Sequence, residues 1–221
     1  RVGLSPAEPA FVTALREWTE ADGSLLVFDE VITFRSEYGG AQTWYGERPD
    51  LTAMGKVIGG GFPAGAIAGR SDVMNVMDPL AENVLFPHSG TFSANPITMT
   101  AGLVAMTLFD ADAVERVNTL ATRAIEGITE AITARGATAC VTGGGSMFRV
   151  HLKAQPPRNY REAYADAQET ARRLALVEYL LGRGFIMINT CSATISTPMG
   201  NDEIDALVEA VADGLERYAT T

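Results

Sequence analysis

The spacing of apolar and polar positions changes character near residue 110. Before that point the chain reads as short pieces between glycines and prolines. Ser5-Pro6-Ala7-Glu8 has the form of a capping box with proline at the first helical position, although Pro9 moves the start later. Phe11, Val12, Leu15 and Trp18 then recur on one helical face, and Asp22-Gly23 ends the pattern. Leu25-Leu26-Val27-Phe28 follows at once. A short apolar run without alternation predicts a strand buried on both faces, as in a parallel sheet under helices. A helix followed by such a strand is one αβ unit of a wound sheet. The stretch from Phe34 to Arg48 is glycine-rich and aromatic (Phe34, Tyr38, Trp44, Tyr45) and reads as an active-site loop. Pro63 leads into AGAIAG, which reads as another strand. Ser71-Asp72 caps a short helix that Asp78-Pro79 breaks, and Asn95-Pro96 launches a helix to about Phe109.

Beyond Asp110 the elements are longer. Val114, Val117, Ala121, Ala124, Ile128 and Ile132 form one helical stripe ending at Arg135-Gly136. Strands are expected at Thr138–Thr142 and Met147–Leu152, joined by Gly143-Gly144-Gly145. A second helix runs to Gly182–Gly184, strands follow near Phe185–Asn189 and Ala193–Thr197, and an amphipathic helix spans Asp202–Tyr218. Helices on a small sheet of short strands describe an α+β domain, so the expected division is 1–110 and 111–221.

Composition narrows the function. The 221 residues suffice for one large or two small domains, and 47% hydrophobic with 20% charged is ordinary for a globular protein. A formal net charge of −10 argues against nucleic-acid or anionic-membrane partners. Cys140 and Cys191 are the only cysteines and sit in apolar, strand-like context, which suggests a reducing, cytoplasmic compartment. No apolar run reaches the roughly 18 residues of a membrane span. Two histidines and two cysteines, all far apart, give no zinc spacing, so no metal is expected. No G-x-S-x-G elbow occurs.

The candidate chemistry lies between Ser24 and Arg70. The strand at Leu25–Phe28 ends on two carboxylates, Asp29 and Glu30, and ligands of open α/β sheets sit beyond the carboxyl ends of such strands. Lys56 comes between Gly55 and the apolar Val57-Ile58, ahead of three glycines, and only it and Lys153 are lysines among 17 basic residues. A lysine buried in an apolar turn becomes a neutral amine nucleophile. An acid at a strand end and a lysine on a later loop are two of the groups that pyridoxal phosphate requires. Taken singly, Asp29 reads equally well as a solvated strand end and Lys56 as a surface lysine. Two nucleotide readings fail. Gly55-Lys56 is followed by Val57 rather than the Ser/Thr of a P-loop, and the glycines from Gly59 lead into a strand rather than a dinucleotide-binding helix.

The segments DEVIT, GGAQTWYG, PDLTAMGKVIGGGFPAGAIAGR and HSGTFSANP, in this order and spacing, resemble the class III pyridoxal-phosphate aminotransferases, nearest the glutamate-1-semialdehyde aminomutase-like branch. The resemblance is dense over residues 3–105 and looser beyond. It implies an α/β fold of the fold-type I, aspartate aminotransferase-like kind: the second half of the large domain in 1–110 and the small α+β domain in 111–221. It implies that Lys56 forms the Schiff base with pyridoxal 5'-phosphate and that Asp29 keeps the pyridine nitrogen protonated. Val31, two residues on from Asp29 and so on the same side of an extended chain, would pack on the ring. Gly90 and Thr91 would bind the cofactor phosphate of the neighbouring subunit in a homodimer. Arg35 reads either as a grip for a substrate carboxylate or as one half of a structural ion pair. The family's N-terminal half, with further cofactor contacts, is expected as an additional partner. Thr33 runs straight into Phe34-Arg35 where the aminomutases carry a glycine, and no Glu lies between Glu178 and Glu203. These departures favour transfer from an amine or a β- or ω-amino acid to a keto acid. The alternatives are intramolecular aminomutase chemistry and a non-catalytic half-enzyme that serves assembly.

Overall fold

The structure, a computed structural model, describes residues 3–219. It contains two compact units, one of residues 7–113 and one in which residues 3–6 join 114–219.

The first unit opens with helix α1, Pro9–Asp22. Pro9 takes the first helical position, where its missing N–H costs nothing, and Gly23 closes the helix in the left-handed region. The Ser5 capping box does not form. Glu8 is the N-cap without a side-chain bond, and the Ser5 hydroxyl instead donates to the Pro157 carbonyl at 3.0 Å. Nor is the expected apolar face the inner one, because Phe11 and Trp18 are exposed. Val12, Arg16 and Thr19 line the inner row, which lets Arg16 reach Asp50 at 3.0 Å.

Strands β1 (Val27–Asp29), β2 (Leu51–Gly55) and β3 (Gly65–Gly69) form one sheet in that order. β1 and β2 are parallel, with Val27 opposite Leu51 and Asp29 opposite Ala53. β3 runs antiparallel to β2, which a parallel reading of the sheet does not anticipate. A parallel return needs a crossover of a dozen or more residues, and the short Lys56–Ala64 connection allows only a hairpin-like reversal. β1 is also not covered on both faces. Leu26 is buried, but Leu25 and Val27 are 48% and 51% exposed, and all of β3 is exposed.

Asp50 ties the amino ends of β1 and β2 to α1 and to the carboxyl end of β3. Its buried carboxylate accepts from the Leu26 N–H (2.7 Å), from Arg16 (3.0 Å) and from Arg70 beyond β3 (2.7 Å). The Leu26 bond, then the Arg70 bond, hold its pKa down at about 2.

Helix α2 spans Ser71–Met74, with no side-chain cap bond from its first residues. Helix α3 spans Pro96–Leu108, and the Asn95 carboxamide accepts from the N–H groups of Ile97 (3.0 Å) and Thr98 (3.3 Å). Its inner side is small. A Cβ on Gly60, a left-handed residue, would meet the Ala101 carbonyl oxygen at 2.3 Å, and one on Gly102 would meet that of Ile58 at 2.2 Å. Only glycines allow this backbone approach. The outer side, Ile97, Leu103, Val104 and Leu108, is exposed.

The second unit packs α4 (Ala111–Arg135), α5 (Tyr160–Ala163), α6 (Ala167–Gly182) and α7 (Asn201–Tyr218) with an antiparallel sheet of β4 (Cys140–Gly144), β5 (Met147–His151) and β6 (Ser192–Thr194). Phe148, Val150, Leu176, Leu180, Ile204 and Leu215 are its fully buried centre. The strand expected at Phe185–Asn189 is absent. That stretch turns back on itself, with the Cys191 N–H bonded to Ile188 O (2.8 Å) and the Ile188 N–H to Ser192 O (3.3 Å). Ile186 and Ile188 consequently point outward. Ala131, rather than Ile132, completes the buried stripe of α4.

Candidate active site

The carboxyl ends of β1 and β2 lie side by side, and chemistry-bearing residues follow each. Asp29 is the last residue of β1 and is exposed, and its carboxylate accepts from the Val31 N–H at 3.1 Å. The chain turns after Asp29, so Val31 does not follow an extended strand as the two-residue spacing suggested. It reaches the site by another route. A Cβ on Gly55 would lie 3.2 Å from Val31 Cγ1, which means that the valine covers the glycine just before Lys56.

Lys56 begins a single 3-10 turn, Lys56–Gly59, directly after β2. Its φ of +51° is left-handed, which costs a residue with a side chain about 1–2 kcal/mol. The Glu30 N–H donates to Ala53 O at 2.8 Å, fixing this end of the strand pair. The structure thus gathers Asp29, Val31 and Lys56 at one sheet end. It does not bury Lys56 as its apolar neighbours suggested: the side chain is exposed. The reason is that α3 packs on the glycines at 59–60, behind the turn. The other lysine, Lys153, bonds to Glu169 (2.7 Å) and to the Tyr164 carbonyl (2.8 Å).

Gly90 and Thr91 lie on the exposed turn leading into α3, where the Ser93 N–H donates to Gly90 O at 3.0 Å. His88 is exposed on the same segment. Arg35 sits over the Phe109 ring, 5.5 Å from its centroid, and burial lowers its pKa. Trp44 donates to Glu37 at 2.8 Å, and Tyr45 packs edge-on against both Phe28 and Trp44.

Glu30 has a role that the sequence reading missed. It turns inward with 2% exposure, while its neighbour Asp29 faces out. The signal was there in outline: the second of two adjacent acids after a strand falls on the opposite side from the first. Among the described residues no group of three or more His, Cys, Asp or Glu side chains is arranged to hold a metal.

An α/β sheet with a carboxylate and an amine at the carboxyl ends of adjacent parallel strands is the arrangement of the fold-type I pyridoxal-phosphate-dependent transferases, and the chain contains the second half of that fold. More narrowly, residues 1–213 match aminotransferase class-III, and the chain belongs to that family. It is 38% identical over 222 residues to a glutamate-1-semialdehyde 2,1-aminomutase of Desulforudis audaxviator, covering 99% of this chain and 50% of that protein. Among solved structures it is similar to an omega-transaminase from Sphaerobacter thermophilus (47% identity, TM-score 0.93, 97% of this chain and 49% of the other). It is also similar to a transaminase with PLP bound (36% identity, TM-score 0.86, 96% and 49%). The chain spans about half the length of the proteins it matches.

The strand-end residues fit pyridoxal phosphate. An exposed carboxylate, an exposed primary amine and an apolar side chain lying over a glycine converge there, and each suits one part of that cofactor.

Proposed function

We propose that this chain carries the lysine half of a pyridoxal-phosphate aminotransferase that moves an amino group from an amine or a β- or ω-amino acid to a keto acid. The observation that carries the reading is the convergence of Asp29, Val31 and Lys56 at the carboxyl ends of β1 and β2. When bound, pyridoxal phosphate would supply an aldehyde for the amine and a ring able to accept an electron pair. Asp29 holds the proton on the ring nitrogen, a charge-assisted bond that keeps the ring electron-poor. Lys56 is the resting anchor, and once displaced its free amine carries the proton to and from the substrate carbon. Val31 offers apolar surface to the ring. The Gly90 backbone and Thr91 hydroxyl suit a phosphate oxygen, and on the family pattern they serve the neighbouring subunit of a homodimer.

The complete enzyme combines this chain with the family's N-terminal half, whether in one polypeptide or two, and works in the cytoplasm. The exposed residues of β1 and β3 are consistent with such partners, because unpaired strands and apolar faces invite pairing.

The 38% identity to an aminomutase supports a second reading, intramolecular transfer. The discriminating experiment gives the complete enzyme benzylamine with pyruvate or 2-oxoglutarate, and separately glutamate-1-semialdehyde alone. Transfer to a keto acid is the expected result. Efficient conversion of the semialdehyde with no transfer to either keto acid would establish the aminomutase instead. A colourless, well-folded protein inert in both assays would point to a non-catalytic assembly role.

A further inference from the structure

We propose that Glu30 is a positioning residue for the substrate: it clamps the 33–45 loop onto the end of β1, and through that loop sets affinity for the amino donor without touching the cofactor. The inference rests on the aminotransferase reading above.

Three bonds make the clamp. One carboxylate oxygen accepts from the Thr33 hydroxyl (2.7 Å) and the Ala41 N–H (3.0 Å), and the other from the Gln42 N–H (2.7 Å). The main chain of the same residue holds both sides, since its N–H bonds to Ala53 on β2 and its carbonyl accepts from Phe34 at 2.9 Å. Glu30 therefore joins the strand pair to both the start and the middle of the loop. The loop is built to receive it. Gly40 has φ +81°, and a Cβ there would fall 2.9 Å from a Glu30 carboxylate oxygen and 3.1 Å from the Phe34 ring.

What the clamp positions is the loop's aromatic residues and Arg35, and it is these that the proposal assigns to the amino donor. Ala41 and Gln42 begin the single 3-10 turn Ala41–Trp44, so fixing their N–H groups fixes where Trp44 and Tyr45 emerge. Phe34 and Arg35 follow directly from the Thr33 bond. Asp29 and Val31 flank Glu30 on the chain, so the loop departs directly from two of the residues placed at the site. With its carboxylate turned away from the exposed Asp29, Glu30 reaches the reaction only through the loop.

Glutamine is not a conservative replacement here. Both oxygens accept from N–H donors, and an amide would turn its own NH2 group against one of them. Gly40→Ala disturbs the same clamp without altering the acid, and Thr33→Val removes a single bond. In the complete enzyme three quantities would be measured: hydrogen exchange of the 40–45 peptide, the Kd for pyridoxal phosphate, and KM and kcat for benzylamine with pyruvate. For Glu30→Gln and Gly40→Ala the turn should exchange faster and KM should rise about tenfold, with kcat and cofactor Kd held within about twofold. Thr33→Val should fall between these variants and wild type. Faster exchange with an unchanged KM would reduce the clamp to a structural feature, and a parallel loss of cofactor affinity would move Glu30 into cofactor binding. Either result overturns the proposal. A wild type that neither binds cofactor nor transfers amino groups would overturn the reading beneath it, and the proposal with it.

Discussion

Two acidic residues with nearly identical burial hold opposite ends of one strand pair. Glu30 closes the carboxyl end with hydrogen bonds to neutral groups, while Asp50 closes the amino end with two arginines and a backbone N–H. Asp50 titrates near 2 in the folded protein, below the ordinary carboxylate value of about 3.9. The stability that its charge contributes is therefore fully present above about pH 4 and is lost as the pH falls through about 2. Asp50→Asn should lower stability at pH 7 by about 3 kcal/mol, read from urea unfolding, because it leaves Arg16 without its buried partner. The gap between wild type and variant should narrow between pH 4 and 2, whereas a constant gap would mean that another group titrates. Residues defined by their own neighbours in the chain, such as Asp29 after an apolar run or Asn95 before a proline, are legible in sequence. Asp50 and Glu30 are not, because their partners lie as far as 34 and 12 residues away on other elements.

Among elements, the pairing of α3 with the lysine turn bears most on the site. Neither packs through large side chains; the contact is glycine against carbonyl on both sides. Gly102→Ala would drive a Cβ into the Ile58 carbonyl and should cost about 1–3 kcal/mol of stability. Because Ile58 shares the turn with Lys56, cofactor occupancy of the complete enzyme should fall as well. Loss of stability alone, with full occupancy, would show that the turn holds its shape without α3. Helices bounded by caps and prolines were readable to within a residue or two, as at Asn95-Pro96 and in α7. Strands were less so. Phe185–Asn189 has a strand's composition, yet its backbone turns toward β6 instead of pairing. The antiparallel direction of β3 follows from connection length, which the apolar pattern does not encode.

At the scale of the whole molecule, the two units differ in how far they complete their own cores. The second encloses its centre, with Phe148, Val150, Leu176 and Ile204 fully buried. The first leaves Leu25, Val27, Ile67, Leu103 and Leu108 exposed, so the cover that their apolar character calls for is not supplied by the described residues. That explains why the apolar run at Leu25–Phe28 reads as a doubly buried strand although Val27 is exposed: the run suits a larger sheet than these residues build. The same holds for Lys56, whose apolar neighbours suit a covered turn while the side chain stands exposed. Lys56 in its complete setting is therefore the residue on which the chemistry depends. The most direct test is to reduce the pyridoxal-phosphate-loaded complete enzyme with borohydride, digest it and map the pyridoxyl group by mass spectrometry. The account predicts a single adduct on Lys56; an adduct on Lys153 with Lys56 unmodified would contradict it.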